Sequence, residues 1–327
     1  MTMTMTIQPT YADVVSARKL VSSYLPPTPL VRSEQLSQAL GCEYYIKCEN
    51  LQPVGAFKVR GGVNLVGRLS DDEKTAGVIS ASTGNHGQSM AMAGGLFDVP
   101  VVIYAPAERV NERKLAAMRD LGAEVRLHGR DFDEARIEVE RVAREEGWRY
   151  VHSANEPHLI AGVGTMGLEI VDDLPDVDVV IAPVGGGSGV CGLCLAVKET
   201  HPSVEVIGVQ SEQAPGAWMA WKERQLDVET EAATTSEGLA TRVPFEMTMA
   251  MMWEVLDDFI LVGDDAIDAA VRRLAQNARL VAEGAGAASL AAAFELPRER
   301  LAGKKVVGVL SGGNVALTRY AEILSGA

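Results

Sequence analysis

Aromatic residues make up only 5% of this chain, and cations are scarce: 30 Lys and Arg stand against 44 Asp and Glu. The resulting formal charge of −14 repels phosphate backbones and anionic headgroups, so neither nucleic acid nor a membrane surface is an expected partner. A secretory signal is also missing, because the opening MTMTMTIQPT has no basic region and no apolar core. A cytoplasmic location is therefore the default. Two stretches, Thr75–Phe97 and Val179–Val197, lack formal charge for about a membrane's width. Each holds five glycines, and Asn85, His86, Gln88 and Pro183 further divide them into strand, turn and helix. Neither reads as a spanning helix. Thiols are few as well: Cys42, Cys48, Cys191 and Cys194. Cys191 and Cys194 form a lone C-x-x-C with no suitably spaced histidine after it, so they read as small helix-packing residues instead of a zinc or redox pair.

What is present is length and a repeating order of elements. At about 150 residues per domain, 327 residues suggest about two domains. Short apolar, β-branched runs alternate with glycine-rich turns and helical stretches. The expected strands are Glu43–Cys48, Gly77–Ser80, Val99–Tyr104, Glu124–Leu127, Val177–Ala182, Val204–Val209, Phe259–Val262 and Lys305–Leu310. A helix is expected over Asn111–Leu121, where Leu115, Met118 and Leu121 recur at helical spacing and Gly122 stops the run. Another, a charged surface helix, is expected over Asp131–Glu146, with Phe132, Ile137 and Val142 as its apolar positions. Continuous apolar strands joined by helices indicate parallel sheets covered on both faces, which makes the fold class α/β.

Ligands of open α/β sheets bind outside the carboxyl ends of the strands, and four such ends here are unusual. Gly185, Gly186, Gly187, Ser188 and Gly189 follow one strand and precede a helix. Converging amides and a helix N-terminus there suit a phosphate, although a flexible turn has the same composition. No Gly-Lys-Ser/Thr follows, so it is not a P-loop. Gly162, Gly164 and Gly167 match the dinucleotide fingerprint literally. They follow no buried strand and lack the downstream acid, so they read as a packed turn leading into a helix. The second end, Gly55–Gly62, places Lys58 beside Phe57 among small residues. Such a lysine is ordinarily a solvated surface residue, but desolvation would make it a nucleophilic amine. Ser82, Thr83, Gly84, Asn85 and His86 form a third turn, a nest suited to a carboxylate, and Ser311–Asn314 forms the fourth.

Together these turns resemble the fold-type II pyridoxal-phosphate enzymes, in particular the threonine/serine dehydratase and serine racemase branch. The resemblance runs through Pro26–Leu30, Lys47–Asn50, Phe57–Gly61, Ser82–His86, Ala161–Thr165, Pro183–Gly187 and Ser311–Asn314. It implies a tryptophan synthase β-like architecture of two parallel-sheet, three-layer domains. A discontinuous large cofactor-binding domain (1–70 plus 153–327) would hold a small inserted α/β domain (71–152). It implies that Lys58 carries pyridoxal 5'-phosphate as a Schiff base and then serves as base at Cα. Phe57 would flank the ring, Asn85 would bond its hydroxyl and Ser311 would face its nitrogen. Gly185, Gly186, Gly187, Ser188 and Gly189 would hold the phosphate. Ser82, Thr83, Asn85 and His86 would receive the substrate carboxylate, with Glu283 an acid near the site.

The implied activity is a lyase that removes the β-hydroxyl of a β-hydroxy α-amino acid of the L-threonine or L-serine type, giving a 2-oxo acid and ammonia. A neutral Ser311 favours that outcome, because an acid there would protonate the ring and prolong the carbanion. Three departures matter. Thr83 stands where racemases carry a serine, so it is either a carboxylate ligand or a second base, and a serine racemase-type activity is the alternative. Ser188 and Gly189 replace the commoner Gly-Leu. At the branch's divalent-metal position stand Gln210, Ala214 and Gly216, with Glu212 the one nearby acid, so no metal is expected. Larger substrates, such as β-hydroxyaspartate, phenylserine or a hydroxyectoine-derived amino acid, remain open. Met90, Met92 and Met247–Trp253 are either adaptable pocket surface or core. The end at Ala327 matches the short, catabolic dehydratases without an isoleucine-binding domain, and a homodimer is the expected assembly.

Overall fold

A computed structural model describes residues 7–108 and 112–326. Ten strands form two sheets among these residues. They are β1 (Leu30–Arg32), β2 (Glu43–Cys48), β3 (Val78–Ala81), β4 (Val101–Ala105), β5 (Glu124–Leu127), β6 (Arg149–Tyr150), β7 (Val179–Pro183), β8 (Glu205–Ser211), β9 (Asp258–Val262) and β10 (Lys305–Leu310). The helices of the first half are α1 (Tyr11–Val21), α2 (Glu34–Leu40), α3 (Lys58–Gly67), α4 (Asp71–Ala76), α5 (Asn85–Phe97), α6 (Glu112–Asp120) and α7 (Phe132–Glu146). Those of the second are α8 (Pro157–Asp173), α9 (Ser188–Thr200), α10 (Gly216–Glu223), α11 (Glu246–Val255), α12 (Asp264–Ala278), α13 (Gly284–Glu295), α14 (Arg298–Leu301) and α15 (Leu317–Ser325).

The larger sheet has the order β1-β2-β10-β7-β8-β9 and is parallel except for β1, which runs antiparallel to β2 along one edge. The smaller sheet, β5-β4-β3-β6, is parallel throughout. Alternate residues of each strand feed separate cores. Val179, Ile181, Ile207 and Val209 pack with α12 and α13, while Val180, Ala182, Val206 and Val307 pack with α9 and α11. In the smaller sheet, Val78, Val101 and Ile103 face α5 and α6, whereas Ile79, Val102 and Tyr104 face α7. Both faces of both sheets are thus covered. That is why these strands read as unbroken apolar runs.

Several sequence expectations need correction. Gly162, Gly164 and Gly167 do not form a turn; they lie inside α8. A Cβ at Gly162 would stand 2.6 Å from the Arg60 carbonyl oxygen, one at Gly164 2.7 Å from that of Gly192, and one at Gly167 2.8 Å from Ala196 Cβ. The glycines let α3 and α9 press against α8, so tertiary contact overrides their poor helix propensity. Ile137 is 58% exposed, whereas Val142 is buried and Phe132 packs against the same core as expected, joined by Ala135, Val139 and Ala143. The strands β1 and β6, three and two residues long, carry too little pattern to be seen in the sequence. The expected helix over Asn111–Leu121 is described from Glu112, Asn111 lying outside the described residues, and Gly122 ends it at φ 95°. Met90, Met247, Met249, Met251 and Met252 are core residues, while Met92 is half-buried.

Candidate active site

The loops that follow the carboxyl ends of β2, β3, β7 and β10 are in direct contact with one another. Lys58 is the first residue of α3. Its Nζ donates to Ser188 Oγ at 3.0 Å and to the Ser153 carbonyl oxygen at 3.4 Å. Burial without an anionic partner pushes this amine down to about 8. Its helix is anchored one turn on. The Arg60 guanidinium grips Glu49 at 2.7 and 2.8 Å and Glu169 at 2.6 and 2.8 Å, and Lys47 reaches Glu169 at 2.6 Å. Two cations and two carboxylates balance, so this buried cluster locks α3 against β2 and α8 without placing net charge beside Lys58.

Gly185–Gly189 wraps the start of α9, with Gly187 in the left-handed region at φ 92°. Every neighbour there forbids a side chain. An added Cβ would meet the Gly238 carbonyl oxygen at 2.3 Å from Gly185, the Phe245 ring at 3.0 Å from Gly186, Thr248 at 2.8 Å from Gly187 and the Phe57 ring at 2.9 Å from Gly189. Main-chain N–H groups therefore line the cradle, backed by the positive end of a 13-residue helix. The Gly185 and Gly238 contact belongs to an irregular strap, residues 225–245, that folds across the cradle. Thr241 Oγ1 donates to the Gly185 carbonyl oxygen at 3.4 Å, and Gln210 Nε2 donates to Thr241 Oγ1 at 3.1 Å. The other end of the Gln210 amide accepts from the Trp218 N–H at 3.0 Å. Both its groups are thus taken up by protein. Glu212 is exposed, and no group of three metal-binding side chains occurs among the described residues.

The Ser82–His86 loop leads into α5. Ser82 Oγ accepts from the Gly84 and Gly87 N–H groups at 3.1 and 2.8 Å, so it shapes the loop. The first-turn N–H groups of Asn85 and His86 are left over by helix geometry and available to an anion. The His86 ring turns away: its Nε2 lies 2.9 Å from Ser80 Oγ, which itself donates to the Val151 carbonyl oxygen at 2.7 Å. That fixes Nε2 as the donor. Burial, with Lys58 and His152 nearby, pushes the His86 ring down to about 3, so it is neutral at physiological pH. Thr83 is exposed and carries no side-chain hydrogen bond that would relay a proton.

Asn85 Nδ2 donates to Glu283 Oε1 at 2.6 Å, and Asn85 Oδ1 accepts from Asn314 Nδ2 at 2.8 Å. One Asn85 N–H remains for a ligand. Burial raises the Glu283 carboxyl above its ordinary range. Ser311, buried at the end of β10, accepts the Phe57 N–H through its carbonyl oxygen at 3.0 Å, tying the lysine turn to the strand. Direct contacts thus link Lys58, Phe57, Ser188, Gly189, Asn85, Glu283 and Ser311, whereas the His86 ring is directed to Ser80 and Ser82 Oγ bonds within its own loop. Missed were His152, Ser153, Phe245, Thr248, Lys114 and Glu237, which come from segments without glycine-rich punctuation. Cys191 and Cys194 are buried; burial pushes Cys194 up to about 12 and Cys191 upward as well, consistent with packing thiols.

Residues 21–312 match the family of pyridoxal-phosphate dependent enzymes. The chain belongs to that family. It is 38% identical to the L-threonine ammonia-lyase of Thermotoga maritima over 97% of this chain and 78% of that one. It is also 38% identical to the catabolic L-threonine dehydratase of Staphylococcus aureus, over 95% and 91%. Among solved structures, the processed threonine deaminase isoform 2 of Solanum lycopersicum superposes with a TM-score of 0.90 at 32% identity, covering 97% of this chain and 92% of that one. Maize serine racemase gives 0.91 at 26% identity, covering 98% of both. The cofactor is pyridoxal 5'-phosphate, and these loops fit it. A cradle of four glycines whose one side chain is the Ser188 hydroxyl suits the phosphate, and a desolvated amine 3.0 Å from that hydroxyl suits the aldehyde.

Proposed function

We propose that this enzyme is an ammonia-lyase that removes the β-hydroxyl and amino groups of L-threonine, and of L-serine, to release a 2-oxo acid and ammonia. The observation that carries the reading is Lys58: a buried amine poised near neutrality between the phosphate cradle and the carboxylate loop, in a chain 38% identical to two such enzymes. Bound at Lys58, the cofactor supplies the electron sink that makes the substrate Cα acidic. The protein does the rest. The amides of the Ser82–His86 loop hold the carboxylate, with Asn85 and His86 offering main-chain N–H groups. The neutral His86 ring, braced by Ser80, fixes that loop without adding charge. Phe57 packs against the cradle backbone at Gly189, and Asn85 keeps one N–H for the ring hydroxyl. Ser311 would lie against the ring nitrogen, where its neutral hydroxyl could share a hydrogen bond but would not stabilise a protonated ring as a carboxylate would. Lys58 takes the Cα proton, the β-hydroxyl is protonated as it leaves Cβ as water, and the released enamine is hydrolysed by a water molecule to the 2-oxo acid and ammonia.

Thr83 is a carboxylate ligand in this reading, since it lacks a partner to relay a proton on the other face. The Gln210 site works without a divalent cation, because the amide itself ties the strap to the cradle. We further read residues 71–152, which contain the smaller sheet, as an inserted domain. The remainder forms the large domain, and the molecule is a cytoplasmic homodimer. No helix among the described residues is long and apolar enough to cross a membrane.

The test is ammonia release from a panel of about a dozen β-substituted amino acids by the purified, cofactor-loaded enzyme, with chiral analysis of the substrate left at partial conversion. Ammonia from L-threonine or L-serine without D-enantiomer is expected, and Lys58→Ala should lose at least about 10³-fold. Accumulating D-enantiomer, or no ammonia from either substrate, would overturn the assignment.

A further inference from the structure

The loop read above as the carboxylate site has a cation beside it that the sequence did not single out. Lys114 lies on α6, with its side chain only 14% exposed. It runs over Gly84, the residue that caps α5. A Cβ built at Gly84 would stand 3.3 Å from Lys114 Cδ and 3.5 Å from its Nζ. The ammonium therefore sits next to the N-terminus of a 13-residue helix, where unpaired N–H groups already carry about half a positive charge. Two positive centres at such range favour an anion between or beside them. Lys114 is paired with a carboxylate from the strap, Glu237, which is 55% exposed. Both charges are felt at Glu283, the partner of Asn85, where Lys114 lowers and Glu237 raises the proton affinity. Lys114, Glu237, Glu283 and Asn314 line a single cavity of about 100 Å³. The other cation on its wall, Arg319, is held by Asp268 at 2.5 Å.

We propose that Lys114 is the counter-ion of the substrate α-carboxylate, and that Glu237 is the carboxylate it gives up when an amino acid enters. The inference rests on the reading of the Ser82–His86 loop as the carboxylate site. A mostly buried lysine whose partner is half-exposed, on a single 3-10 turn (Glu237–Leu239), can change partners without moving far. The exchange keeps Lys114 paired with a carboxylate and leaves the displaced Glu237, 55% exposed, to water. It selects for the group that every amino-acid substrate shares and leaves side-chain choice to other residues.

The experiment titrates the cofactor-loaded enzyme with glycine, which has no β-substituent to lose, and with glycinamide, which lacks the carboxylate. Binding is read from the visible absorbance of the cofactor, and KM and kcat for L-threonine are measured alongside. Lys114→Gln should weaken glycine about 10- to 100-fold and leave glycinamide unchanged. The loss for L-threonine should fall on KM, and Lys114→Arg should restore much of it. Glu237→Gln should tighten glycine a few-fold, because the competing carboxylate is gone. Equal losses for glycine and glycinamide in Lys114→Gln would overturn the proposal. So would a Glu237→Gln enzyme weakened as much as Lys114→Gln, since the pair would then be a latch between α6 and the strap. A wild-type enzyme that binds glycine no better than glycinamide would instead sink the carboxylate-loop assignment, and this inference with it.

Discussion

Lys58 shows how one residue's environment sets its chemistry. An exposed lysine titrates near 10.5, whereas burial alone brings this one to about 8. Only the neutral amine condenses with an aldehyde. The sign follows: below about 8 the reactive fraction falls tenfold per pH unit, and above it the fraction levels off. Reconstitution of cofactor-free enzyme, timed by the growth of visible absorbance, should therefore rise steeply from pH 6 to 8 and flatten by pH 9. A rate still climbing tenfold per unit between pH 9 and 10 would mean that the amine is solvated. That Lys58 mattered was legible in the sequence only in company with the other turns. That its counter-charges are absent was not, because Arg60 takes up both Glu49, 11 residues away, and Glu169, 109 residues away.

Among the elements, glycine separates what sequence can and cannot reveal. In Gly185–Gly189 the glycines stand after a strand and before a helix, and position in the chain announces their task. In α8 the same residue type stands mid-helix, and its purpose exists only once α3 and α9 are in place. The two roles should separate on mutation. Gly164→Ala forces a methyl 2.7 Å from the Gly192 carbonyl oxygen, a backbone atom that cannot swing aside. Such overpacking should cost about 1–3 kcal/mol in urea denaturation, with cofactor affinity nearly intact. Gly187→Ala should instead weaken pyridoxal-phosphate binding, read by equilibrium titration, because φ 92° disfavours any side chain and Thr248 blocks the space. If the Gly164 variant lost cofactor affinity while keeping its stability, the packing account of α8 would fail. Short edge strands such as β1 escape sequence reading for a related reason. Three residues cannot display a period, and the partner β2 supplies the hydrogen bonds that define the strand.

For the whole molecule, the surplus of 14 acids is the dominant surface property, and it pits two salt effects against each other. Added salt weakens exposed ion pairs such as Arg130–Glu134 and Arg141–Glu138. It also screens the mutual repulsion of the unbalanced carboxylates. Exposed pairs contribute about 0–1 kcal/mol each, and many contribute nothing measurable. Repulsion among the excess acids acts over the whole surface, and the screening length shortens from about 10 Å at 0.1 M to about 3 Å at 1 M. The buried Arg60 cluster is shielded from solvent and should not respond. Screening of repulsion therefore wins, and the Tm at pH 7 should rise by a few degrees between 0.05 and 0.5 M KCl, about 2–4 °C for each kcal/mol gained. The same scan near pH 4.9, the isoelectric point, supplies the control. There the net charge vanishes, so the repulsion that salt relieves at pH 7 is no longer present, and the salt-induced rise should disappear. A Tm that fell with salt at pH 7 would mean that the exposed pairs outweigh the net charge. A rise of equal size at both pH values would place the effect in general salting-out of apolar surface instead.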